Sequence, residues 1–386
     1  MKLSETIQQE INQKFQTIKS VEDLVILMTF VYGHLYPNIQ TKIEINKRKL
    51  HFIAFSKKER YKSFTIPKKS GGERKIFAPI YTLKVYQKIL NEILQIVFTP
   101  HKSSHGFLPG KSIVSNANLH YGKQHVYNID LKDFFPSTSF RRVKTVLQLS
   151  PFNLNQDRES LGFLIANLCC NDNGLPQGAP TSPILTNIVC QRLDRKLLRF
   201  AAQYKSSYTR YADDITYSSN QNKFSAEFES KLQEIIHEEG FEINSNKTRL
   251  QDFKRRQEVT GLIVNRKVNL NIEFIKQVRF WLYVWEKFGY ASFHERLSSD
   301  YIKSGNTSKR KGGHPLNVLR GKINFISMVR GKEDSTVIQF KRKFDELNKK
   351  QKANEHAKHA LVDIERIIDI WEAHGINAAL LSIRKQ

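Results

Sequence analysis

The sequence predicts an α+β fold in which an antiparallel sheet lies between helical N- and C-terminal extensions. Strand-like segments occur at residues 125–131 and on both sides of the turn Ala212-Asp213-Asp214, and the latter pair is typical of a β-hairpin. Helical periodicity fills the sequence between these strands and dominates both ends of the chain. The order strand, helix, hairpin, helix, strand favours a single sheet with antiparallel character.

The first third of the chain is predicted to be mainly helical. Residues 1–60 are basic, with one apolar helical face formed by Leu24, Ile26, Leu27, Phe30 and Val31. A glycine turn flanked by cations, residues 68–75, precedes a short apolar strand at 76–77. Another helix is expected over residues 82–98, before the strand at 125–131.

The remaining elements follow from periodicity and from turn residues. Before residue 271 we expect a helix over 182–203, hairpin strands at 208–211 and 215–218, a helix over 225–239 ended by Gly240, and a second hairpin from 259–264 and 267–270. From residue 271 the pattern is helical and basic. A Gly/Ser/Lys loop is expected at 303–313, and two further helices after residue 332.

Charge and cysteine content limit the class of protein. The 386 residues include 62 Lys plus Arg against 37 Asp plus Glu, a formal charge of +25. Such a charge indicates a polyanionic partner. The cysteines, Cys169, Cys170 and Cys190, match neither zinc nor disulfide spacing, and the first two are expected in the core. The longest apolar run, 24–32, is too short to span a membrane, so we expect a cytoplasmic protein without membrane partners.

Three acidic residues suggest metal-dependent chemistry. Asp130 ends one predicted strand, and Asp213 and Asp214 lie at the hairpin turn. Two-metal phosphoryl transfer needs carboxylates from separate segments to hold two cations about 4 Å apart, and Mg²⁺ prefers oxygen ligands. An Asp in a turn is common by itself. The combination with other features in one order is what favours a catalytic interpretation.

A stiff loop lies between the two acidic segments. Residues 174–183 contain two glycines and three prolines, which let the backbone approach a nucleotide closely. Gln177 offers both a donor and an acceptor there. The same residues also suit a plain helix N-terminus, with Thr181 or Ser182 as the cap and Pro183 in the first turn. Both interpretations are compatible.

Together these segments resemble the motifs of reverse transcriptases with a right-hand polymerase fold. Asp130 matches the first catalytic motif, residues 175–183 the template-grip motif, and Tyr211-Ala212-Asp213-Asp214 the YxDD motif. Residues 240–248 resemble the motif that places a Lys, here Lys247, near the triphosphate. The resemblance covers roughly residues 60–270.

Two short signatures narrow the resemblance to retron reverse transcriptases: the NAxxH pattern from Asn116 to His120, and Val259-Thr260-Gly261. The resemblance implies an enzyme that binds its cognate structured noncoding RNA (msr-msd). It implies priming from a guanosine 2′-OH in that RNA, a branched msDNA product, and a role in anti-phage defence with a separate effector protein.

The resemblance also implies roles at the reaction centre. Asp130 and Asp213 would coordinate two Mg²⁺ ions, with Asp214 in support and the Leu131 carbonyl as a further ligand. Lys247 would be a general acid or a phosphate contact, and these alternatives stay open. Phe135 would act as a steric gate against a ribose 2′-OH. The alternative for Phe135 is a place in the core, although Phe134 fits that place better. The residues expected to bind the dNTP are Lys69, Arg74, Asp133, Phe135 and Gln177.

Nucleic-acid contacts are expected from two regions. Asn116 and His120 would contact RNA or brace their segment, and Tyr211 and Gly261 would lie near the primer or an RNA stem. In the basic helical region the expected contacts are Arg279, Arg320 and Lys322, whereas its Trp residues are expected in the core.

The expected division is an N-terminal helical extension (1–60), fingers (61–125), palm (126–270), thumb (271–332) and a C-terminal helical extension (333–386). The extension begins with cationic residues, so binding of RNA or docking of an effector are both open. Two other functions compete: a non-retron bacterial reverse transcriptase, such as a group II intron relative, and a catalytically silent RNA-binding subunit.

Overall fold

The computed structural model describes residues 3–38, 43–56, 60–68, 71–221, 224–303 and 314–374, with side chains described except at 301–303 and 355–374. The chain divides into two compact units, Met1–Lys267 and Val268–Gln386. Helices and antiparallel strands share the first unit, so the predicted α+β class is confirmed.

The first unit begins with three helices, α1 (Glu5–Thr17), α2 (Val21–Leu35) and α3 (Lys47–Phe55). Each starts where the sequence supplies a capping side chain: Ser4, Ser20 and Asn46 accept hydrogen bonds from the first-turn backbone. Their buried faces belong to one large apolar core. Ile26 was predicted on the buried face of α2, but it is 63% exposed, because the face turned to the core is built on Leu24, Leu27 and Val31.

An antiparallel hairpin of β1 (Tyr61–Pro67) and β2 (Glu73–Pro79) follows, and it contains the predicted glycine turn. Next come α4 (Tyr81–Val97), close to the predicted bounds, and the short α5 (Ile113–Ala117). The strand predicted at 76–77 is part of β2, which is longer because its cationic first residues also pair with β1.

The middle of the chain supplies the helices that support the sheet. They are α6 (Phe140–Gln148), a 3₁₀ turn (Gln156–Arg158), α7 (Glu159–Cys169), α8 (Ser182–Val189) and α9 (Gln191–Gln203). The single helix predicted over 182–203 is therefore interrupted at Cys190, where ψ is −2° and the backbone leaves regular α geometry.

One four-stranded sheet forms the centre of the first unit. Its strands are β3 (His125–Asp130), β4 (Ser207–Tyr211), β5 (Asp214–Ser219) and β6 (Arg249–Asp252), and α10 (Ala226–Glu238) connects β5 to β6. The order is β4-β5-β3-β6, with every neighbouring pair antiparallel. β6 was not predicted, because its mostly exposed residues lack the alternation of a half-buried strand.

The second predicted hairpin was wrong in its register. β7 (Glu258–Val259) pairs with β8 (Leu262–Ile263), so both strands lie within residues 258–263. The turn is Thr260-Gly261, with φ of +47° and +80°. A two-residue turn with positive φ at both positions joins short strands tightly, which leaves no role for 267–270 in the hairpin.

Alternation along the central strands gives the sheet two chemically different faces. Tyr127 and Ile129 of β3, with Ile215 and Tyr217 of β5, join the core formed with α9 and α10. Asn128 and Thr216 point to the other face and meet there through a 3.2 Å hydrogen bond. Because successive side chains of a strand point to opposite faces, Asp130 and Asp214 share that polar face.

The second unit is helical, with α11 (Ile272–Lys303), α12 (Pro315–Arg330) and α13 (Ser335–His374). Gly289, with φ of +81°, bends α11. The two helices predicted after residue 332 are one helix, α13, and the loop predicted at 303–313 lies almost wholly outside the described residues. Trp281 and Trp285 are buried, as predicted.

Two expectations from composition can be compared with the structure. Cys169 and Cys170 are buried in the apolar core, as predicted, and all three cysteines are free thiols. Among the described residues, no helix combines the length and the apolar character needed to cross a membrane.

Candidate active site

The three predicted acidic residues meet at one end of the central sheet. β3 and β5 pair so that Asp130 lies opposite Asp214. Asp213 lies in the turn between β4 and β5, and its backbone carbonyl accepts a hydrogen bond from the Leu131 N–H at 3.0 Å. Backbone pairing thus joins Asp130 to Asp214, which lie 84 positions apart in sequence (214 − 130).

The turn that carries Asp213 has an unusual backbone. Ala212 has φ of +58°, a region that side chains with a Cβ adopt only at an energetic cost. Gly106 lies directly against this turn, so that a Cβ built on Gly106 would be 2.5 Å from the Ala212 nitrogen. Only glycine permits this approach.

A second segment holds Asp130 from the other side. Its backbone carbonyl accepts a hydrogen bond from Asn244 N at 2.8 Å, and the Asn244 side-chain amide donates to Oδ2 at 3.2 Å. The Lys247 ammonium donates to Oδ1 at 2.8 Å. The resemblance predicted Lys247 near a triphosphate and gave no role to Asn244, although Asn244 lies in the same motif.

The negative charges of Asp130, Asp213 and Asp214 repel one another. Loss of hydrating water raises the pKa of Asp213, and the charge of Asp130 raises it further, whereas Lys247 and Arg74 lower it. The pKa of Asp214 is raised to about 7, first by desolvation and then by the charges of Asp213 and Asp130. The Asp214 side chain is open to solvent on one side, so we attribute this shift to protein packed around its other sides and to crowding of negative charge.

A cavity of 500 Å³ opens beside these residues. Asp130, Asp214, Tyr211 and Lys247 line it. Its other polar walls come from the polar face of the sheet and from neighbouring loops: Asn128, Thr216, Asn246, Thr248, Arg249, Thr260 and Gly261. The cavity walls therefore combine acidic groups with cations that suit a phosphate.

The donor atoms fit a divalent cation. Carboxylate oxygens are the ligands that Mg²⁺ prefers, and a cation between crowded carboxylates would relieve the repulsion that raises the pKa of Asp213 and Asp214. The Lys247 ammonium already provides a positive charge to Asp130. Within the described part of the chain, no three His, Cys, Asp or Glu side chains are gathered in a ready metal site.

Three of the residues predicted to bind a nucleotide lie on a strand, in a loop and in a turn. Arg74 is exposed on β2, and its positive charge lowers the pKa of Asp213. The Gln177 backbone carbonyl accepts a hydrogen bond from Phe77 N at 2.8 Å, which ties its loop to the strand that carries Arg74. Asp133 lies in an exposed turn after β3, with φ of +46°. Lys69 lies outside the described residues.

An aromatic group borders the acidic residues. Phe135 is partly buried, and its ring centroid lies 6.3 Å from that of Phe107, which in turn lies 6.4 Å from Tyr211. Phe134 is core, as predicted. Phe107 is 45% exposed with φ of +61°, and sequence analysis missed it. Its one sequence signal was the preceding Gly106, whose close contact appears only in the fold.

Asn116 and His120 are both completely buried, so neither side chain is exposed for the direct RNA contact that was one of the two expectations. The His120 ring lies 2.7 Å from Ser218 Oγ and 2.7 Å from Thr209 Oγ1, so it bridges β4 and β5. The Asn116 amide donates to Thr260 Oγ1 at 3.5 Å. The alternative of bracing is what the contacts support, and Asn116 braces the hairpin that contains Gly261.

The second unit carries the other predicted nucleic-acid contacts. Arg279 and Arg320 are exposed, and their guanidinium groups lie over Phe340 and Phe344. Lys322 is half-buried, its ammonium 4.4 Å from the Phe274 ring centroid. Burial lowers the pKa of Lys322. Lys322 therefore stabilises its own unit, whereas the two arginines remain accessible.

Comparison with known proteins identifies the class to which this fold and site belong. The sequence model of the reverse transcriptase (RNA-dependent DNA polymerase) family matches residues 66–265. This range contains the central sheet and every element that lines the acidic cavity. A solved structure of telomerase from Candida albicans aligns with 86% of this chain and with 69% of its own chain. The TM-score is 0.42 and the sequence identity 11%, so this likeness carries no conclusion.

The particular branch follows from curated relatives. The retron Mx162 and Mx65 reverse transcriptases of Myxococcus xanthus are 34% and 36% identical over 72% and 60% of this chain. The chain spans 61% and 58% of the length of those two proteins. The retron Ec86 reverse transcriptase of Escherichia coli is 35% identical over 61% of this chain and 73% of its own. This chain belongs to the retron reverse transcriptase family.

Proposed function

We propose that the protein is an RNA-directed DNA polymerase of a bacterial retron. One observation carries the proposal: Asp130 and Asp214 face each other across paired strands and line a cavity with cationic walls, and Asp213 lies at the adjoining turn. Nucleotidyl transfer depends mainly on positioning and on neutralising phosphate charge. The cavity combines both requirements.

Asp130 and Asp213 would hold two Mg²⁺ ions, with the Leu131 carbonyl as an additional ligand and Asp214 in support. When bound, the ions supply charge neutralisation at the triphosphate and an activated attacking oxygen. The chain's own contribution is orientation. Backbone pairing from Leu131 to Asp213 and from Asn244 to Asp130 keeps the acidic residues on rigid strand ends.

Two roles are open to the protonated Lys247 side chain. Its ammonium bonds Asp130, and that hydrogen bond raises the pKa of Lys247, so the group is protonated at neutral pH. A protonated amine at this position suits a phosphate contact, and it can also donate a proton to leaving pyrophosphate. Displacement from Asp130 by a bound cation would free the ammonium for the nucleotide.

The dNTP would lie between the cavity and the β1–β2 hairpin. Arg74 would contact the triphosphate, assisted by Lys69, with Gln177 and Asp133 at the edge of the site. The Phe135 ring would exclude a ribose 2′-OH. Phe107, packed between Phe135 and Tyr211, supports this role by limiting movement of the Phe135 ring.

The nucleic-acid partner would be the cognate noncoding RNA (msr-msd), primed from a guanosine 2′-OH to yield branched msDNA. The charge of +25 supports a polyanionic partner. We assign fingers to 61–125, palm to 126–270 and thumb to 271–332, with Arg279 and Arg320 as thumb contacts and Tyr211 and Gly261 near the primer. A cytoplasmic anti-phage role with a separate effector completes the proposal.

The test is DNA synthesis by purified protein with its cognate RNA, dNTPs and Mg²⁺. We expect a branched DNA product from the wild-type chain and none from the double variant Asp213→Asn, Asp214→Asn. RNA affinity of the double variant, measured by filter binding, is expected to stay within about threefold of wild type, since its net charge rises by at most two. Wild-type protein that binds the RNA and extends no primer would instead establish the silent RNA-binding subunit.

A further inference from the structure

A buried ion pair lies beneath the acidic turn, in a part of the site that the proposed reaction does not use. Arg210 of β4 and Asp194 of α9 are both fully buried. Arg210 Nη2 donates to Asp194 Oδ2 at 2.7 Å and Arg210 Nε donates to Oδ1 at 2.8 Å. Tyr208 Oη also donates to Asp194 Oδ1, at 2.7 Å. The pair is therefore bidentate, with one further donor.

The remaining Arg210 nitrogen reaches the turn itself. Nη1 donates to the Ala212 carbonyl at 3.1 Å and to Asn187 Oδ1 at 3.2 Å. Asn187 in turn donates to the Gly106 carbonyl at 3.0 Å. Thus one guanidinium joins α9, α8, the turn and, through Asn187, the segment that packs against the turn. Asp194 supplies the fixed point of this network, because it lies within a helix.

Folding stability alone does not explain why this ion pair is buried. Replacing a buried ion pair with apolar residues is often neutral or stabilising, so such a pair is weak evidence of a contribution to folding. What a buried guanidinium provides is a rigid fork that fixes several acceptors at once. Here one of the acceptors is the carbonyl of the residue with φ of +58°, directly before Asp213.

We propose that Arg210, held by Asp194, is a positioning residue that keeps the Ala212 backbone in its positive-φ conformation and thereby orients the Asp213 and Asp214 carboxylates. The inference rests on the proposed function, because it assigns the orientation of these carboxylates to the polymerase reaction. Without the Nη1 hydrogen bond, Ala212 relaxes toward ordinary φ values and the two carboxylates turn away from Asp130. Gly106 limits the turn from the opposite side.

The test variant is Arg210→Lys, which keeps the charge beside Asp194 but loses the fork and cannot reach Asp194 and Ala212 together. A misplacement of about 1 Å at a reacting centre costs on the order of 100-fold in rate. We expect kcat for DNA synthesis to fall at least 10-fold, with KM for dNTP and RNA affinity within threefold of wild type. Mn²⁺ affinity of the protein without nucleotide, measured by electron paramagnetic resonance, should weaken at least threefold.

Tyr208→Phe is the matched control. It removes a hydrogen bond to the same Asp194 but none to the turn, so it tests the ion pair as a purely structural element. We expect a lower Tm with kcat and Mn²⁺ affinity unchanged. If Arg210→Lys and Tyr208→Phe lower kcat equally at a temperature where both variants are fully folded, the proposal is overturned.

Rescue provides an independent measurement. Glycine adopts positive φ without strain, so adding Ala212→Gly to Arg210→Lys should restore kcat at least threefold, and no restoration would count against the proposal. If Arg210→Lys does not fold, Asp194→Asn replaces it, with the same losses expected in kcat and Mn²⁺ affinity and the same comparison with Tyr208→Phe. Inactive wild-type protein would refute the proposed function, whereas the Mn²⁺ comparison between wild type and variant would still decide the positioning role.

Discussion

Single residues at the acidic turn are constrained by contacts that sequence chemistry does not reveal. Gly106 is an example, since it belongs to no predicted motif yet carries the closest backbone approach to the turn. Ala212 and Phe107 both have positive φ, and both lie at this contact. Strained conformations of non-glycine residues persist where the surrounding structure enforces them. Substitutions around the turn are therefore expected to affect the reaction as substitutions of the carboxylates do.

We predict that Gly106→Ala lowers the rate of DNA synthesis at least 10-fold. The added methyl group would lie 2.5 Å from the Ala212 nitrogen and 3.1 Å from the Tyr211 carbonyl carbon, both of which are backbone, so the turn must move. The measurement is single-turnover primer extension. Gly33→Ala is the matched control, because nothing lies within 4 Å of a Cβ at that helical position. Equal rates for the two variants would show that the turn tolerates displacement.

Some pairs of elements are joined by buried polar side chains, among them a histidine that was expected from the sequence to contact RNA or brace its segment. His120 follows α5 and connects Thr209 of β4 to Ser218 of β5, the two strands that lead into and out of the acidic turn. His105 lies nearby and bonds Ser115 in α5 at 2.8 Å. The NAxxH signature is thus a structural joint, and it positions the hairpin that bears Asp213.

This joint predicts a loss of stability in mild acid. Burial lowers the pKa of His120 to about 3, whereas an unfolded histidine titrates near 6.5. Between these values the unfolded chain binds a proton that the folded chain does not, so the free energy of unfolding falls as pH decreases below about 6.5. The expected slope from His120 is about 1.4 kcal/mol per pH unit. His105, whose pKa burial lowers to about 4, adds a similar term.

Urea unfolding of wild type and His120→Gln at pH 7 and pH 5 measures this slope. Glutamine offers a donor and an acceptor but does not titrate, so the stability difference between the two pH values should be about 2 kcal/mol smaller in the variant. Contributions of all other groups cancel in this comparison. The same pH dependence in both proteins would mean that His120 is not the buried base inferred from its contacts.

At the scale of the whole molecule, charge is the dominant property. The excess of cations is spread over both units, and exposed arginines such as Arg279 and Arg320 lie in the helical unit. Within the described residues, many lysines and arginines already pair with carboxylates, for example Lys196 with Glu238 and Lys231 with Glu227. Only cations that do not have such partners are available to phosphates at full strength.

We predict a steep dependence of RNA affinity on salt. Each neutralised phosphate contributes a slope of roughly −0.7 to −0.9 in log affinity against log salt, so six or more contacts imply a fall of about 1000-fold between 50 and 200 mM. Replacing Arg279 and Arg320 with Gln should reduce the slope by about 2. Lys231→Gln, which removes a cation paired with Glu227 on α10, should leave it unchanged. A flat response in wild type would exclude a phosphate-dominated interface.

The sequence by itself determined the α+β class, the helices with clear caps and periodicity, and the pairing of the Asp130 strand with the Asp213–Asp214 hairpin. The helices and strands follow from local patterns, because a strand's alternation and a turn's residues act over a few positions, whereas the pairing was indicated by the order of the elements along the chain. The buried bridge of His120, the break at Cys190, strand β6, the contact of Gly106 with Ala212 and the ion pair of Arg210 with Asp194 were decided only by the tertiary structure. The contacts of His120, Gly106 and Arg210 join groups from different elements, whose burial and distance arise only when those elements pack together, whereas β6 and the break at Cys190 show no local pattern that would predict them.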